Sequence, residues 1–166
     1  MKSQRTIPFS PPDISDAEIE EVVAALKSGW ITTGPRTKEL ERKLAEFCHT
    51  SRVVCLNSAT AAEELNFRIC GIGEGDEVIV PYTYTATASA AIHCGAKVIF
   101  VDSQKDSTEM DYEKVAEAIT FRTKAIVAVD LGGIPADYTR LYEIAEQKKE
   151  LFEPGGNTEL GKKIQK

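Results

Sequence analysis

The sequence has no apolar run long enough to cross a membrane, and Met1 to Pro12 holds no apolar core of the kind a signal peptide needs. A cytoplasmic chain with no membrane partner is expected. Only two histidines stand beside the four cysteines, Cys48, Cys55, Cys70 and Cys94, and no CxxC pair occurs among them. A zinc site is therefore not expected, and the thiols read as small buried hydrophobes of a reducing compartment. Positive charge is also short, because 20 Lys and Arg face 26 Asp and Glu, for a net charge of −6 and a pI near 5.1. Basic residues are scattered apart from Lys162, Lys163 and Lys166, so no nucleic-acid partner is expected. Neither GxGxxG nor GxxxxGK[ST] follows an apolar run, which argues against a generic nucleotide-binding domain. No internal repeat is visible.

What is present suits one globular domain: 166 residues, 42% hydrophobic and 28% charged. Residues 1–14, with Pro8, Pro11 and Pro12, read as an extended arm. A helix capped by Ser15 places Ile19, Val22, Val23 and Leu26 on one face and ends near Ser28-Gly29. The loop Trp30-Ile31-Thr32-Thr33-Gly34-Pro35 leads to a second amphipathic helix, from about Pro35 to Phe47. Further on, apolar runs at Val53–Leu56, Val78–Val80, Lys97–Val101 and Lys124–Val129 read as strands, and helical patterns lie between them. Strands of continuous apolar character that alternate with helices predict an α/β fold, with a mostly parallel sheet covered on both faces. In such sheets ligands gather at the carboxyl ends of the strands. Ser58 to Ala61, Tyr82 to Thr85, Asp102 and Asp130 all follow apolar runs, so all are candidates for that edge.

The stretch Asn57-Ser58-Ala59-Thr60-Ala61-Ala62 carries the most chemistry. A helix that starts at Ser58 offers free N–H groups and the positive end of its dipole to an anion, with the Ser58 and Thr60 hydroxyls as further donors. The same residues also suit a plain N-cap, in which Ser58 satisfies its own helix. From local pattern alone both readings stand.

Several segments together resemble the DegT-type sugar aminotransferases, which are fold-type-I pyridoxal 5′-phosphate (PLP) enzymes. They are Trp30 to Pro35, Asn57 to Ala62, Gly73 to Pro81, Tyr82 to Thr87, Gly95 to Asp102 and Arg122 to Ile126, in that order. The resemblance runs from about residue 7 to residue 147. It implies amino transfer from a donor such as glutamate to a keto group on a nucleotide-linked sugar, by a homodimer. Position by position, Ser58, Ala59 and Thr60 resemble the hold on the cofactor phosphate, and Tyr84 resembles the ring that stacks on the pyridine. Thr33 and Gly34 resemble a segment close to the substrate.

Departures from the family pattern are informative. Ala59 stands where Gly is frequent, Glu63 and Asn66 take helix positions that are usually apolar, and Asp130 replaces a frequent His and is given no catalytic role. The family also carries, further along, an Asp for the pyridine nitrogen and a Lys for the Schiff base, and neither motif occurs here. The expectation is an incomplete PLP-transferase large domain over 15–150 with an irregular, truncated tail over 151–166, inactive alone. A non-catalytic binding or dimerisation module derived from the family is the alternative.

Overall fold

The computed structural model describes residues 7–8, 10–154 and 158–164, and it divides into two compact units, 1–55 and 56–166. Most of the expected 1–14 arm, residues 1–6 and 9, lies outside the described residues, and 10–14 hold no regular element.

The first unit contains α1 (Asp16–Lys27) and α2 (Pro35–Phe47). Ser15 caps α1 through a full capping box: its hydroxyl oxygen accepts the Ala17 N–H while Glu18 reaches back to the Ser15 N–H. Pro35 opens α2, where its missing N–H costs nothing. Neither helix fully buries a side chain, and an Arg36–Glu21 ion pair joins one to the other. In this unit the Cys55 N–H donates to Glu41 Oε1 at 2.9 Å.

The expected strand at Val53–Leu56 is not one. It holds no regular element and has no ladder partner among the described residues, and Val54 is 72% exposed. A run of apolar residues reports a wish for burial, whereas a strand also needs a neighbour for its N–H and C=O groups.

The second unit holds α3 (Ala59–Ile69), β1 (Glu77–Pro81), α4 (Thr85–His93), β2 (Lys97–Val101), α5 (Tyr112–Ala118), β3 (Thr123–Ile126), α6 (Tyr138–Lys148) and α7 (Glu159–Ile164). The sheet is parallel with order β2-β1-β3, so β1 is central and fully buried. Alternation along β1 sorts the core into two layers. Val78 and Val80 meet Phe67 of α3 and Ala88, Ala90 and Ala91 of α4, while Ile79 meets Val115 of α5 and Leu141 and Ile144 of α6. Each buried Val, Ile or Leu among them contributes roughly 1.5–3 kcal/mol by leaving water, and each alanine less. Alanines on α4 let the helix lie close to the sheet, which is why a segment poor in large side chains still packs.

The helix after β1 starts at Thr85, leaving Tyr82 to Tyr84 as a connecting turn. Two expectations shift. The third strand is shorter than the apolar run, ending at Ile126, although Val127 still donates to Ile79 O at 2.9 Å. Residues 151–166, expected to be irregular, include α7, whose Gly161 is buried against Cys70 and Gly71 at the end of α3.

Candidate cofactor site

Topology brings the start of α3 and the start of α4 to one edge. The strands are parallel, α4 follows β1 directly and returns to begin β2, and α3 ends just before β1 begins. Both helices therefore run back against the sheet, with Ser58 and Tyr84 as their N-caps at the carboxyl edge.

At the first of these starts, Ser58 is extended (φ −161°, ψ 159°), and its hydroxyl oxygen accepts the Ala61 N–H at 3.1 Å. The Ala62 N–H bonds Ser58 O at 3.2 Å. The N-cap reading is thus realised, and it leaves the Ala59 and Thr60 N–H groups without a partner among the described residues. Ser58 is a cap first, and its proton and the Thr60 hydroxyl remain available as donors. Two adjacent N–H groups at the positive end of a helix dipole, with two hydroxyls beside them, suit a phosphate group.

At the second start, Tyr84 caps α4 with its backbone alone, and the ring is 77% exposed. Tyr82 stacks on Phe100 instead, with centroids 4.9 Å apart and planes 15° apart. Between them, Thr83 Oγ1 is buried with no hydrogen-bond partner among the described residues. That orphan went unnoticed in the sequence; its signal is a hydroxyl residue inside a Tyr-Thr-Tyr turn that directly follows a buried strand. An unused flat ring, an unsatisfied hydroxyl and a free pair of N–H groups on one sheet edge are groups of the kind an aromatic phosphate such as PLP needs.

The carboxylates expected at this edge serve loops. Asp102 accepts the Ser103 N–H at 2.9 Å and faces Lys114 at 3.5 Å. Asp130 Oδ1 accepts from the Ala136 N–H at 3.0 Å and the Tyr138 hydroxyl at 2.9 Å, which holds the turn before α6. That bond, with some burial, pushes the Tyr138 hydroxyl above the usual tyrosine range.

Thr33 and Gly34 belong to the first unit, where they shape the Trp30 loop. Trp30 Nε1 donates to Thr33 O at 3.1 Å, and the indole lies against the buried Gly34. A groove of about 540 Å³ along β3 and α6, reaching Phe152, contains none of the cradle residues and is mainly apolar. Among the described residues no helix is long and apolar enough to cross a membrane, and no cluster of metal-ligating side chains occurs.

A parallel α/β sheet with the starts of two helices at its carboxyl edge matches part of a fold-type-I aminotransferase. The sequence pattern of the DegT/DnrJ/EryC1/StrS aminotransferase family matches residues 12–152, and the chain belongs to that family. It is similar to the spore coat polysaccharide biosynthesis protein SpsC of Bacillus subtilis (strain 168), at 39% identity over 87% of this chain and 38% of SpsC. Among solved structures, a Streptococcus pneumoniae protein assigned as a sugar aminotransferase, in its PLP form, superposes with a TM-score of 0.86 at 55% identity. That match covers 92% of this chain and 39% of the other. The ntda protein of Bacillus subtilis, with bound cofactor PMP, matches at 32% identity and a TM-score of 0.78 over 90% of this chain and 36% of its own. The chain thus spans under two fifths of the length of these relatives.

Proposed function

We propose that this chain is the N-terminal part of a PLP-dependent aminotransferase acting on nucleotide-linked keto-sugars, with an amino donor such as glutamate. The observation that carries the reading is the pair of unpartnered N–H groups at Ala59 and Thr60, on the same sheet edge as the exposed Tyr84 ring. Ala59 and Thr60 hold the cofactor phosphate, assisted by the Thr60 and Ser58 hydroxyls, and Tyr84 supplies a flat surface for the pyridine. Thr33 and Gly34 lie close to the substrate. When bound, PLP supplies the electron sink that amino transfer needs. The residues of this chain bind and orient it.

Six lysines of this chain have partners away from the cradle, in support of a chain that is inactive alone. Lys97 and Lys124 sit at the amino ends of their strands, where Lys97 pairs with Glu77 and Lys124 donates to Phe121 O. Lys43, Lys149 and Lys162 pair with glutamates of their own helical segments, and Lys114 faces Asp102 and Asp111. The protein is cytoplasmic and works as a homodimer, a reading supported by apolar residues left exposed on α1 and α2, among them Leu26 and Phe47.

Equilibrium dialysis against pyridoxamine 5′-phosphate and pyridoxamine tests the cradle. The phosphorylated ligand should bind more tightly, and Thr60→Ala should narrow the gap. Equal affinity for both ligands would remove the phosphate site. Borohydride treatment after PLP tests the inactivity: a stoichiometric pyridoxyl adduct on a single lysine would overturn it.

A further inference from the structure

Glu63 stands on α3 one helical turn behind the free N–H groups, four residues from Ala59 and three from Thr60. Phe67, a turn further on, is buried in the layer beneath α4, so this face of α3 turns inward. Glu63 Oε2 is buried and has no hydrogen-bond partner among the described residues. Burial is the one cause that raises its pKa above the usual carboxylate range, and no neighbouring charge contributes.

Other titratable groups packed against α3 are occupied or distant in the chain's layout. At the end of α4, His93 Nδ1 lies 3.4 Å from Glu64 Oε2 and Cys94 Sγ donates to Glu64 O, while Arg68 binds the same Glu64 carboxylate. On α7, Lys162 pairs with Glu159, and Lys163 is exposed near the far end of α3. On β1, Glu77 lies at the amino edge, held by Thr120 and Lys97. In the turn before α4, Tyr82 is stacked on Phe100 and Tyr84 is free.

We propose that Glu63 links the anion cradle to pH: while ionised it opposes a phosphate at Ala59 and Thr60, and protonation of its carboxyl group removes that opposition. This rests on the phosphate reading of the cradle. Four residues of helix rise correspond to about 6 Å along the axis. Two negative charges about one helical turn apart on a partly buried helix face repel enough to change affinity about fivefold, after allowance for solvent screening. Coupling of that size makes binding draw only a fraction of a proton from solvent, within the pH range of the Glu63 titration, with no covalent bond made or broken.

The full chain is dialysed against pyridoxamine 5′-phosphate at about pH 4 and about pH 8, as wild type and as Glu63→Gln, one within the ordinary carboxylate range and one well above it. Ionisation of the ligand's own phosphate acts on both proteins and enters their ratio only through its repulsion by an ionised Glu63. The two affinities should be closest at the lower pH, with about fivefold tighter binding by Glu63→Gln at the higher one and no such change for pyridoxamine. Thermal melts confirm that the variant is folded, and Glu63→Leu, expected to give the same ratio, serves if Gln does not fold. A ratio independent of pH, whatever its size, overturns the role of Glu63 and leaves the cradle standing. No binding of the phosphorylated ligand by either protein overturns the cradle and this inference together.

Discussion

Thr120 donates its hydroxyl to Glu77 Oε2 at 2.7 Å, across 43 residues of chain. The bond ties the turn before β3 to the first residue of β1, and Lys97 at the start of β2 closes the same carboxylate at 3.1 Å. Glu77 is only 5% exposed, so its satisfaction is a condition of the sheet's amino edge. The Thr120 bond, and then Lys97, hold its pKa below the usual carboxylate range against the opposing effect of burial. A depressed carboxylate adds stability above its unfolded pKa and loses it as pH falls through the folded value. Glu77→Gln should therefore cost about 1–2 kcal/mol at neutral pH and progressively less as pH falls through the folded pKa. Urea melts at about pH 7 and about pH 3 check this, and a difference that stays constant would contradict it.

The Trp30 loop gives a second prediction. A Cβ built on Gly34 would fall 1.9 Å from Trp30 Nε1, so Gly34→Ala must displace the indole and break its bond to Thr33 O. Gly34 itself is extended (φ −171°), so the glycine is required by the ring above it and not by its backbone angles. Trp30 is the only tryptophan, and its emission reports the loop directly. The variant should show shifted emission and faster acrylamide quenching, at a cost of about 1 kcal/mol. Unchanged fluorescence would mean that the ring does not rest on Gly34.

Gly161 meets backbone, which cannot swing aside. A Cβ there would lie 2.7 Å from Gly71 Cα and 2.9 Å from Cys70 O, and Gly71 has φ +74° as the residue that ends α3. Gly161→Ala should lift α7 from α3 while the sheet stays intact. Hydrogen exchange should accelerate across residues 158–164 and remain slow in β1. Protection that is unchanged in that segment would count against the packing.

How much could be read beforehand follows from what each pattern encodes. The layered sheet was legible because Val78 to Val80, Val98 to Val101 and the run after Lys124 are continuously apolar, a pattern that β1 carries because it is buried on both faces, although Phe100 of β2 is 48% exposed. Val53 to Leu56 carries the same pattern without a ladder, since apolar character says nothing about which neighbour is present. Ser58 had two roles with one sequence signature, and only the 3.1 Å bond from Ala61 assigns its oxygen to the cap and the free donors to Ala59 and Thr60. Asp102 and Asp130 were legible as residues of the carboxyl edge, but their loop bonds depend on turns whose geometry no local pattern specifies.

Glu63 also bears on stability. Burial raises its pKa in the folded chain, and the sign is opposite to that of Glu77. A carboxylate whose folded pKa is raised favours the fold below its unfolded pKa, and that advantage is lost as pH rises through the folded value. Above that range the chain carries a charged group with a buried, unpartnered oxygen, a cost of about 1–3 kcal/mol. Glu63→Leu, which restores the apolar character usual at such a helix position, should raise the melting temperature at about pH 8 and change it much less at about pH 4. Paired with the Glu77→Gln series, the two variants should move in opposite directions on going from acid to neutral pH, since one removes a penalty that appears on ionisation and the other removes a benefit. A Glu63→Leu protein no more stable than wild type at about pH 8 would show that the carboxylate finds a partner in solution.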